Sequence, residues 1–389
     1  MGYLFLLLSS FFLVSCSYNL TPNPIRSMYT KTTGPLLPPG EPTSNTVLFD
    51  TPKLNPNWYV IGESKDFNSN QPEKITLYGN SIAVWKDRHS NYAAISDVCP
   101  HRGASISKGR IDKATQCIVC PYHTFKYNKH GRMIQTPGQK NLRTTQTFNF
   151  KTDVVHYPIV EKNGWVYLLN RPLYDVNELQ FYSNPNTIWS EPEANDKRFK
   201  GVFLNKQFES DARTVTENSL DILHISELHS FGNRKNPLPT SDVLDKIADG
   251  HHKYTYQYES GEDSIPYRIF GIKNLIVENE YILPHTTVAR VRFGPFCNTI
   301  ITSAFPKSDT QSQLFVKAYR DNWVFNNPIF DFVFDMITRQ LMEKTLNEDK
   351  SVIDTIYPEH RDGNFIVKYD NLVKLYREDY AGYVENSLN

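Results

Sequence analysis

The hydrophobic and polar positions of this chain first follow a short β pattern. Between residues 58 and 170 the apolar residues come in short runs, separated by turn-forming pairs such as Gly79-Asn80. Short runs rich in β-branched and aromatic residues, bounded by turn residues, are typical of antiparallel strands. The pattern predicts strands at 58–61, 75–78, 82–85, 92–95 and 164–170.

The second half of the chain has longer elements and a mixed periodicity. Residues 211–229 and 330–357 have the apolar spacing of helices, and a last amphipathic segment covers 372–384. Between the helical stretches the pattern changes to long strands, which are expected to form one antiparallel sheet. These strands are predicted at 202–208, 253–258, 281–293, 297–306 and 312–320. The chain is therefore predicted to be an α+β protein with domains at 51–172 and 173–389.

The first fifty residues follow neither pattern. Residues 4–14 read LFLLLSSFFLV, a run shorter than the roughly 20 residues of a membrane span but within the length of a signal-peptide core. We predict that 1–16 is a targeting or anchoring segment rather than a buried strand. Residues 17–50, rich in Pro, Ser, Thr and Asn, are predicted to be a linker or processed leader. Membrane association or import into an organelle such as a plastid would explain this leader.

Composition narrows the function classes. Lys+Arg and Asp+Glu both number 42, so the net charge is zero and no basic surface for nucleic acid is expected. The five cysteines show no disulfide framework, which indicates that the folded part lies in a reducing compartment. Cys117 is interpreted as a free thiol.

Four of the cysteine and histidine residues form a metal-binding pattern. Cys99-x-His101 is followed, after eighteen residues, by Cys120-x2-His123. A Rieske [2Fe–2S] cluster needs two Cys on one iron and two His on the other. A zinc site is the alternative, but zinc ligands usually occur as a Cys pair followed by a His pair. Because each loop here carries one Cys and one His, the pattern favours the cluster.

A second group of possible ligands lies in the predicted helix 211–229. His224 and His229 are five residues apart, about 140° around an ideal helix. Both can reach one metal only if the helix ends, tightens or bulges there. An electron-delivering cluster needs an acceptor, and Fe(II) held by two His and one carboxylate is the obvious one. We predict Asp349 as this carboxylate, with Glu348 as the second choice.

The two motifs together resemble the catalytic α subunit of a Rieske non-haem iron oxygenase. The similarity covers roughly residues 52–380. The matching stretches are Cys-Pro-His-Arg-Gly-Ala at 99–104, Cys-Pro-Tyr-His at 120–123, Asn218-x2-Asp221-x2-His224-x4-His229, and Glu348-Asp349.

The resemblance implies a fold and a role for each of these residues. It implies an N-terminal antiparallel Rieske β-domain and a C-terminal helix-grip domain, in which a curved antiparallel sheet encloses a long helix. The cluster ligands would be Cys99, His101, Cys120 and His123, and the iron ligands would be His224, His229 and Asp349. Asp221 would bridge an iron-ligating His and a cluster-ligating His of a neighbouring subunit in a homotrimer. Asn218 would lie close to the iron.

The resemblance also implies an activity and partners. A ferredoxin or flavin reductase would deliver electrons from NAD(P)H, and O2 would be the co-substrate for mono- or dioxygenation, demethylation or ring opening. A small organic substrate, aromatic or pigment-like, is expected, because the single-chain layout resembles the monooxygenase and demethylase branch and the relatives that act on chlorophyll-derived pigments.

Two features separate this chain from other cluster proteins. The family usually has Gly-Trp after the second His ligand, where this chain has Thr124-Phe125. Carriers of the bc1 type have an additional Cys in each loop, at the positions of Ala104 and Tyr122, and lack a second metal motif. An electron-transfer or redox-sensing protein with a vestigial iron site remains the alternative function.

Overall fold

The secondary structure is that of an α+β chain in a computed structural model, which describes residues 56–67, 71–139, 147–182, 184–321 and 328–385. The predicted leader and linker, 1–16 and 17–50, lie outside these residues. None of the described helices is both long and apolar enough to span a bilayer.

The strands of the first half are β1 (Trp58–Glu63), β2 (Glu73–Leu77), β3 (Asn80–Lys86), β4 (Tyr92–Ser96), β5 (Arg110–Ile111), β6 (Ile118–Val119), β7 (Lys126–Tyr127), β8 (Met133–Gln135), β9 (Ile159–Lys162) and β10 (Trp165–Leu169). Those of the second half are β11 (Phe199–Phe208), β12 (Ser241–Ala248), β13 (His251–Glu259), β14 (Asn274–Ile282), β15 (Thr286–Phe293), β16 (Phe296–Ser308) and β17 (Gln311–Asp321). The helices are α1 (Leu179–Tyr182), α2 (Ala212–Leu220), α3 (His224–Leu228), α4 (Ile265–Phe270), α5 (Pro328–Ile353) and α6 (Asn371–Glu385).

The first half consists of three small antiparallel sheets. Their strand orders are β1-β10-β9, β2-β3-β4 and β5-β6-β7-β8. The β2–β3 hairpin turns on Tyr78 and Gly79, whose φ angles of 44° and 78° are both positive, as a type I′ turn requires. Trp85 and Ile95 of the second sheet are buried against the third. The predicted β-rich character of this half is confirmed.

The third sheet brings the two predicted ligand loops together. Arg110 at the start of β5 lies opposite Val119 at the end of β6. The loop that enters β5 and the loop that leaves β6 therefore lie at the same end of the sheet. Gly109 makes this close approach possible, because a Cβ there would lie 1.8 Å from the Val119 carbonyl oxygen.

The second half is built on one antiparallel sheet with the order β11-β17-β16-β15-β14-β13-β12. α2 packs against β16 and β17, and α5 packs against β11. The prediction of a single strand at 281–293 is wrong. A turn at the cis Leu283-Pro284 bond separates β14 from β15, although the apolar pattern continues through it. The predicted helix at 211–229 is also two helices, α2 and α3, with Asp221 as the C-cap of the first.

Buried ion pairs connect the passage before β11 to two inner strands of this sheet, β17 and β15. Lys317 of β17 is fully buried, and its Nζ lies 2.6 Å from Glu191 Oε1. The same ammonium lies 4.2 Å from the ring centroid of Trp165 in β10. Arg290 of β15 donates to Glu193 over 2.7 Å. All described residues belong to one compact unit, Phe49–Asn389, so the domain boundary at 172 stays a prediction.

Candidate metal centres and cavity

The two cysteine–histidine loops have the same backbone conformation. In each loop the cysteine N–H donates to the carbonyl five residues later, and its carbonyl accepts from the N–H four residues later. The residue at that fourth position is left-handed in both loops, with φ of 70° at Gly103 and 61° at Thr124. Thr124 therefore occupies a position that favours glycine, which gives structural meaning to the departure noted in the sequence.

The loops bring the four predicted cluster ligands to one place. Cys99 and Cys120 are both buried. Burial raises the pKa of the Cys120 thiol, and the neighbouring Cys99 raises it further, although hydrogen bonds from nearby backbone N–H groups lower it. His101 is exposed, and its Nδ1 lies 3.1 Å from Nδ1 of His123. A buried sulfur pair beside an outer imidazole pair is the donor set of a Rieske cluster, so the residues fit that group. Tyr127 Oη lies 3.3 Å from Cys99 Sγ.

The second group of predicted ligands also converges. The helix ends at Leu220, and α3 restarts at His224, so that His224 and His229 flank a single short helix. Asp349 Oδ1 lies 3.5 Å from His224 Nε2 and 3.4 Å from His229 Nε2. The three ligand atoms lie within 4.8 Å of one another. Asp349 Oδ1 is buried without a hydrogen-bond partner, as an oxygen that binds a metal would be.

Each of the two imidazoles also contacts a carboxylate through its other nitrogen. Glu348 Oε2 lies 3.0 Å from His229 Nδ1, and Asp221 Oδ2 lies 3.5 Å from His224 Nδ1. Such outer carboxylates fix the ring orientation of metal-binding histidines. Both Nε2 atoms are thus directed at Asp349, and Glu348 lies on the far side of His229.

Electrostatics within this group follow from burial and from the close charges. Burial opposes protonation of His224, but the contacts with Asp221 and then Asp349 outweigh it and raise the pKa of the imidazole. Burial raises the pKa of Asp349, which the two histidines and Asn218 partly offset. An uncompensated carboxylate in such a place is costly, and a bound cation would stabilise it.

A cavity of about 410 Å³ opens beside His224, His229 and Asp349. It lies between the inward face of the large sheet and the helices α2 and α5. Asn218 and Asp221 also line it. Most of its remaining wall is apolar and includes Phe208, Val277, Phe293, Ile300 and Leu346.

Comparison with known proteins identifies the domain that contains the first site. Residues 57–149 match the Rieske [2Fe–2S] domain family. The chain is 22% identical over 213 residues to the oxygenase component of 3-ketosteroid-9-alpha-monooxygenase from Rhodococcus rhodochrous, covering 54% of this chain and 48% of that protein. It is 25% identical over 209 residues to the chloroplastic pheophorbide a oxygenase of Oryza sativa subsp. japonica, covering 52% of this chain and 39% of that protein. This chain therefore contains a Rieske [2Fe–2S] domain, and over about half of its length it is similar to Rieske non-haem iron oxygenases.

Structural comparison extends the likeness to the second half of the chain. Dicamba monooxygenase bound to dicamba superimposes with a TM-score of 0.69 at 17% identity, covering 85% of this chain and 98% of that one. At this identity the likeness shows the fold alone. The predicted fold class is thereby confirmed. The match to the two named relatives spans less than half of their length.

Some contacts around the two sites were not predicted from the sequence. The role of Glu348 beside His229 depends on how α5 is rotated, which spacing alone does not fix. Tyr127 follows the second loop and carries no motif. Asp97 accepts hydrogen bonds from Ser107 N and Ser105 Oγ at 2.6 and 2.5 Å and anchors the first loop. A polar residue in an apolar run, such as Asp97 after β4, is the available sequence signal.

Proposed function

We propose that this chain is an O2-dependent oxidoreductase that oxygenates an organic substrate in the cavity beside His224, His229 and Asp349. Cys99, His101, Cys120 and His123 would hold a [2Fe–2S] cluster, and His224, His229 and Asp349 would hold Fe(II). When bound, the cluster supplies single electrons and the Fe(II) supplies open positions for O2. The observation that carries the proposal is the convergence of three ligand atoms on the wall of an apolar cavity.

The residues around these ligands would position and connect the two centres. Glu348 orients the His229 ring, and Asn218 lies beside the Asp349 carboxylate. Asp221 contacts His224, while its side chain remains 37% exposed. We infer that Asp221 bridges to a cluster-ligating histidine of a second copy in a homotrimer, because His101 is exposed and available for that contact. A ferredoxin or flavin reductase would supply electrons from NAD(P)H.

The cavity supports a bulky, mainly apolar substrate, because its walls are formed largely by aliphatic and aromatic side chains. The relatives named above are a ketosteroid monooxygenase and a pheophorbide a oxygenase. Their substrates differ, so neither is assigned to this chain. An aromatic or polycyclic molecule is the substrate class that we propose.

Iron and acid-labile sulfide per chain test this proposal. The chain is purified anaerobically and reconstituted with Fe(II) and sulfide. Three irons to two sulfides are expected in the wild type and two to two in Asp349→Asn, because only the mononuclear site loses a ligand. Two irons to two sulfides in the wild type would refute the oxygenase and favour an electron carrier. Asp221→Asn should retain all three irons but lose O2-dependent re-oxidation of the reduced cluster.

A further inference from the structure

The cavity wall formed by the sheet contains two polar groups without partners. Four polar atoms of the described cavity lining are buried without a hydrogen-bond partner. Two of them belong to the proposed iron site: Asp349 Oδ1, and His224 Nδ1, which lies 3.5 Å from Asp221 Oδ2 without hydrogen-bond geometry. The other two are Tyr256 Oη on β13 and Asn279 Oδ1 on β14, whose side chains are 2% and 3% exposed.

Asn279 interrupts an otherwise apolar face. Leu275, Val277 and Tyr281 precede and follow it at alternate positions of β14, and all three are buried hydrophobic residues. An amide at such a position costs stability unless it is hydrogen-bonded. Tyr256 lies opposite Val277, two residues from Asn279 along β14, and the Asn279 side chain approaches its hydroxyl closely enough to lower the pKa of Tyr256 against the larger effect of burial. The two groups therefore lie side by side, and neither Tyr256 Oη nor Asn279 Oδ1 has a partner in hydrogen-bond geometry.

Neighbouring polar groups of the same wall are satisfied within the protein. Thr287 and Thr302 hydrogen-bond each other at 2.6 Å. Tyr258, two residues from Tyr256 on the same face, accepts from the backbone N–H of Asn233 at 3.1 Å. The unpaired state is therefore specific to Tyr256 and Asn279 among these neighbours.

The chemistry of the two groups defines what they would bind. Burial raises the pKa of Tyr256 well beyond physiological pH, so its hydroxyl remains a hydrogen-bond donor. Asn279 offers a carbonyl acceptor and an amide donor. The charged lining residues do not favour an anion here: Asp221, Asp263 and Asp349 are acidic, and the Lys344 ammonium, on a side chain that is 58% exposed, lies 2.9 Å from Ser230 Oγ and 3.8 Å from Glu348. A neutral group that both accepts and donates fits this pair.

We propose that Tyr256 and Asn279 form a polar subsite that binds an uncharged hydroxyl or secondary amide of an otherwise apolar substrate. The inference rests on the proposed function for the identity of the reaction, but binding at the subsite can be measured without it. The subsite and the proposed iron site line the same cavity. Anchoring one polar group would fix which end of the substrate faces the iron ligands.

Binding of three probes of one shape tests the subsite. The probes are 2-naphthol, 2-methylnaphthalene and 2-naphthoate, and their dissociation constants are measured by calorimetry on the metal-reconstituted full chain under argon. We expect 2-naphthol to bind at least about tenfold more tightly than either other probe, as two added hydrogen bonds imply. Tighter binding of a secondary amide probe, N-methyl-2-naphthamide, than of 2-naphthol would identify the amide as the recognised group.

Variants separate the subsite from general cavity binding. Tyr256→Phe and Asn279→Leu should each reduce the preference for 2-naphthol over 2-methylnaphthalene several-fold, whereas the matched control Tyr258→Phe should leave it unchanged. In urea, without ligand, Tyr256→Phe and Asn279→Leu should unfold at or above the wild-type midpoint, because each removes an unpaired polar atom. Tyr258→Phe should unfold earlier, because it leaves the Asn233 N–H without its partner.

Equal binding of 2-naphthol and 2-methylnaphthalene, or binding of neither, would overturn the subsite. Destabilisation of Tyr256→Phe and Asn279→Leu as large as that of Tyr258→Phe would also overturn it. Failure of the proposed function is a separate result, since it is read from the iron-to-sulfide ratio. A 2-naphthol preference with only two irons per chain would preserve the subsite and refute the oxygenase.

Discussion

Glu348 offers the sharpest test of how the proposed iron site is built. Its carboxylate lies 3.0 Å from His229 Nδ1, while His229 Nε2 lies 3.4 Å from Asp349 Oδ1. His229 is 5% exposed at its side chain and Glu348 20%, so water competes poorly for this contact. Glu348 is therefore expected to act through His229 and not as a ligand.

Removal of this contact should weaken metal binding without abolishing it. Loss of an outer carboxylate from a metal-binding histidine typically lowers metal affinity about 10- to 100-fold, or about 1.4–2.7 kcal/mol. We expect the metal affinity of Glu348→Leu to be lower than that of the wild type by a factor in this range. For Glu348→Gln the loss of affinity should be near 10-fold, because the amide oxygen still accepts a hydrogen bond. Asp349→Asn should lose far more metal affinity than either Glu348 variant, because it replaces a proposed metal ligand.

The assay is anaerobic titration with Co(II), whose absorption bands report its coordination. Glu343→Gln is the matched control, since Glu343 lies on the same helix but pairs with Lys206 at 2.7 Å. The reasoning is refuted if Glu348→Leu binds Co(II) as tightly as the control, or if Glu348→Leu loses the metal while Asp349→Asn retains it. The second result would make Glu348 the ligand.

Three further predictions concern stability, measured by urea unfolding followed by tryptophan fluorescence. Lys317→Met should lower the free energy of unfolding by about 3–5 kcal/mol, because it leaves Glu191 charged and buried. Adding Glu191→Gln to this variant should restore most of the loss. A Lys317→Met variant as stable as the double variant would contradict this reasoning. Burial lowers the pKa of His285 to about 3, so stability should fall as the pH drops below about 6.5, by roughly 2 kcal/mol from pH 8 to pH 5. The free energy of unfolding of His285→Gln should decrease less between pH 8 and pH 5 than that of the wild type. An equal decrease in both proteins would rule out this histidine as the cause. Thr124→Gly should raise the free energy of unfolding by about 1 kcal/mol, and Gly103→Thr should lower it, because both positions have a left-handed backbone conformation. If neither variant changes the free energy of unfolding, backbone strain at these positions is excluded.

Much of the architecture followed from patterns that are local in the sequence. The β character of residues 58–170 and the helical spacing of the long C-terminal helix depend on neighbours only a few positions away. An interruption of the helical stretch around His224 and His229 was also foreseeable, because both imidazoles can reach one metal only if an ideal helix is interrupted; in the structure α2 ends at Leu220, and α3 ends at Leu228, just before His229.

The remaining features depend on contacts between distant parts of the chain. The turn at Pro284 was missed because apolar residues continue on both sides, so periodicity gives no boundary. Strand β12 was missed because it is an exposed edge strand whose polar and apolar residues do not alternate regularly. The unpaired state of Asn279 could not be predicted, since it depends on what the neighbouring strand places opposite it.

The buried glutamates before β11 limit how this architecture can be recombined between relatives. Glu191 and Glu193 precede the large sheet in sequence, yet their charges are balanced by Lys317 and Arg290 within it. A chimera joined at residue 172 inherits each glutamate together with its cation. A chimera joined after residue 195 separates them unless the other parent supplies matching acids. The passage 188–195 should therefore be inherited with the large sheet, and crossovers that survive selection should lie before it.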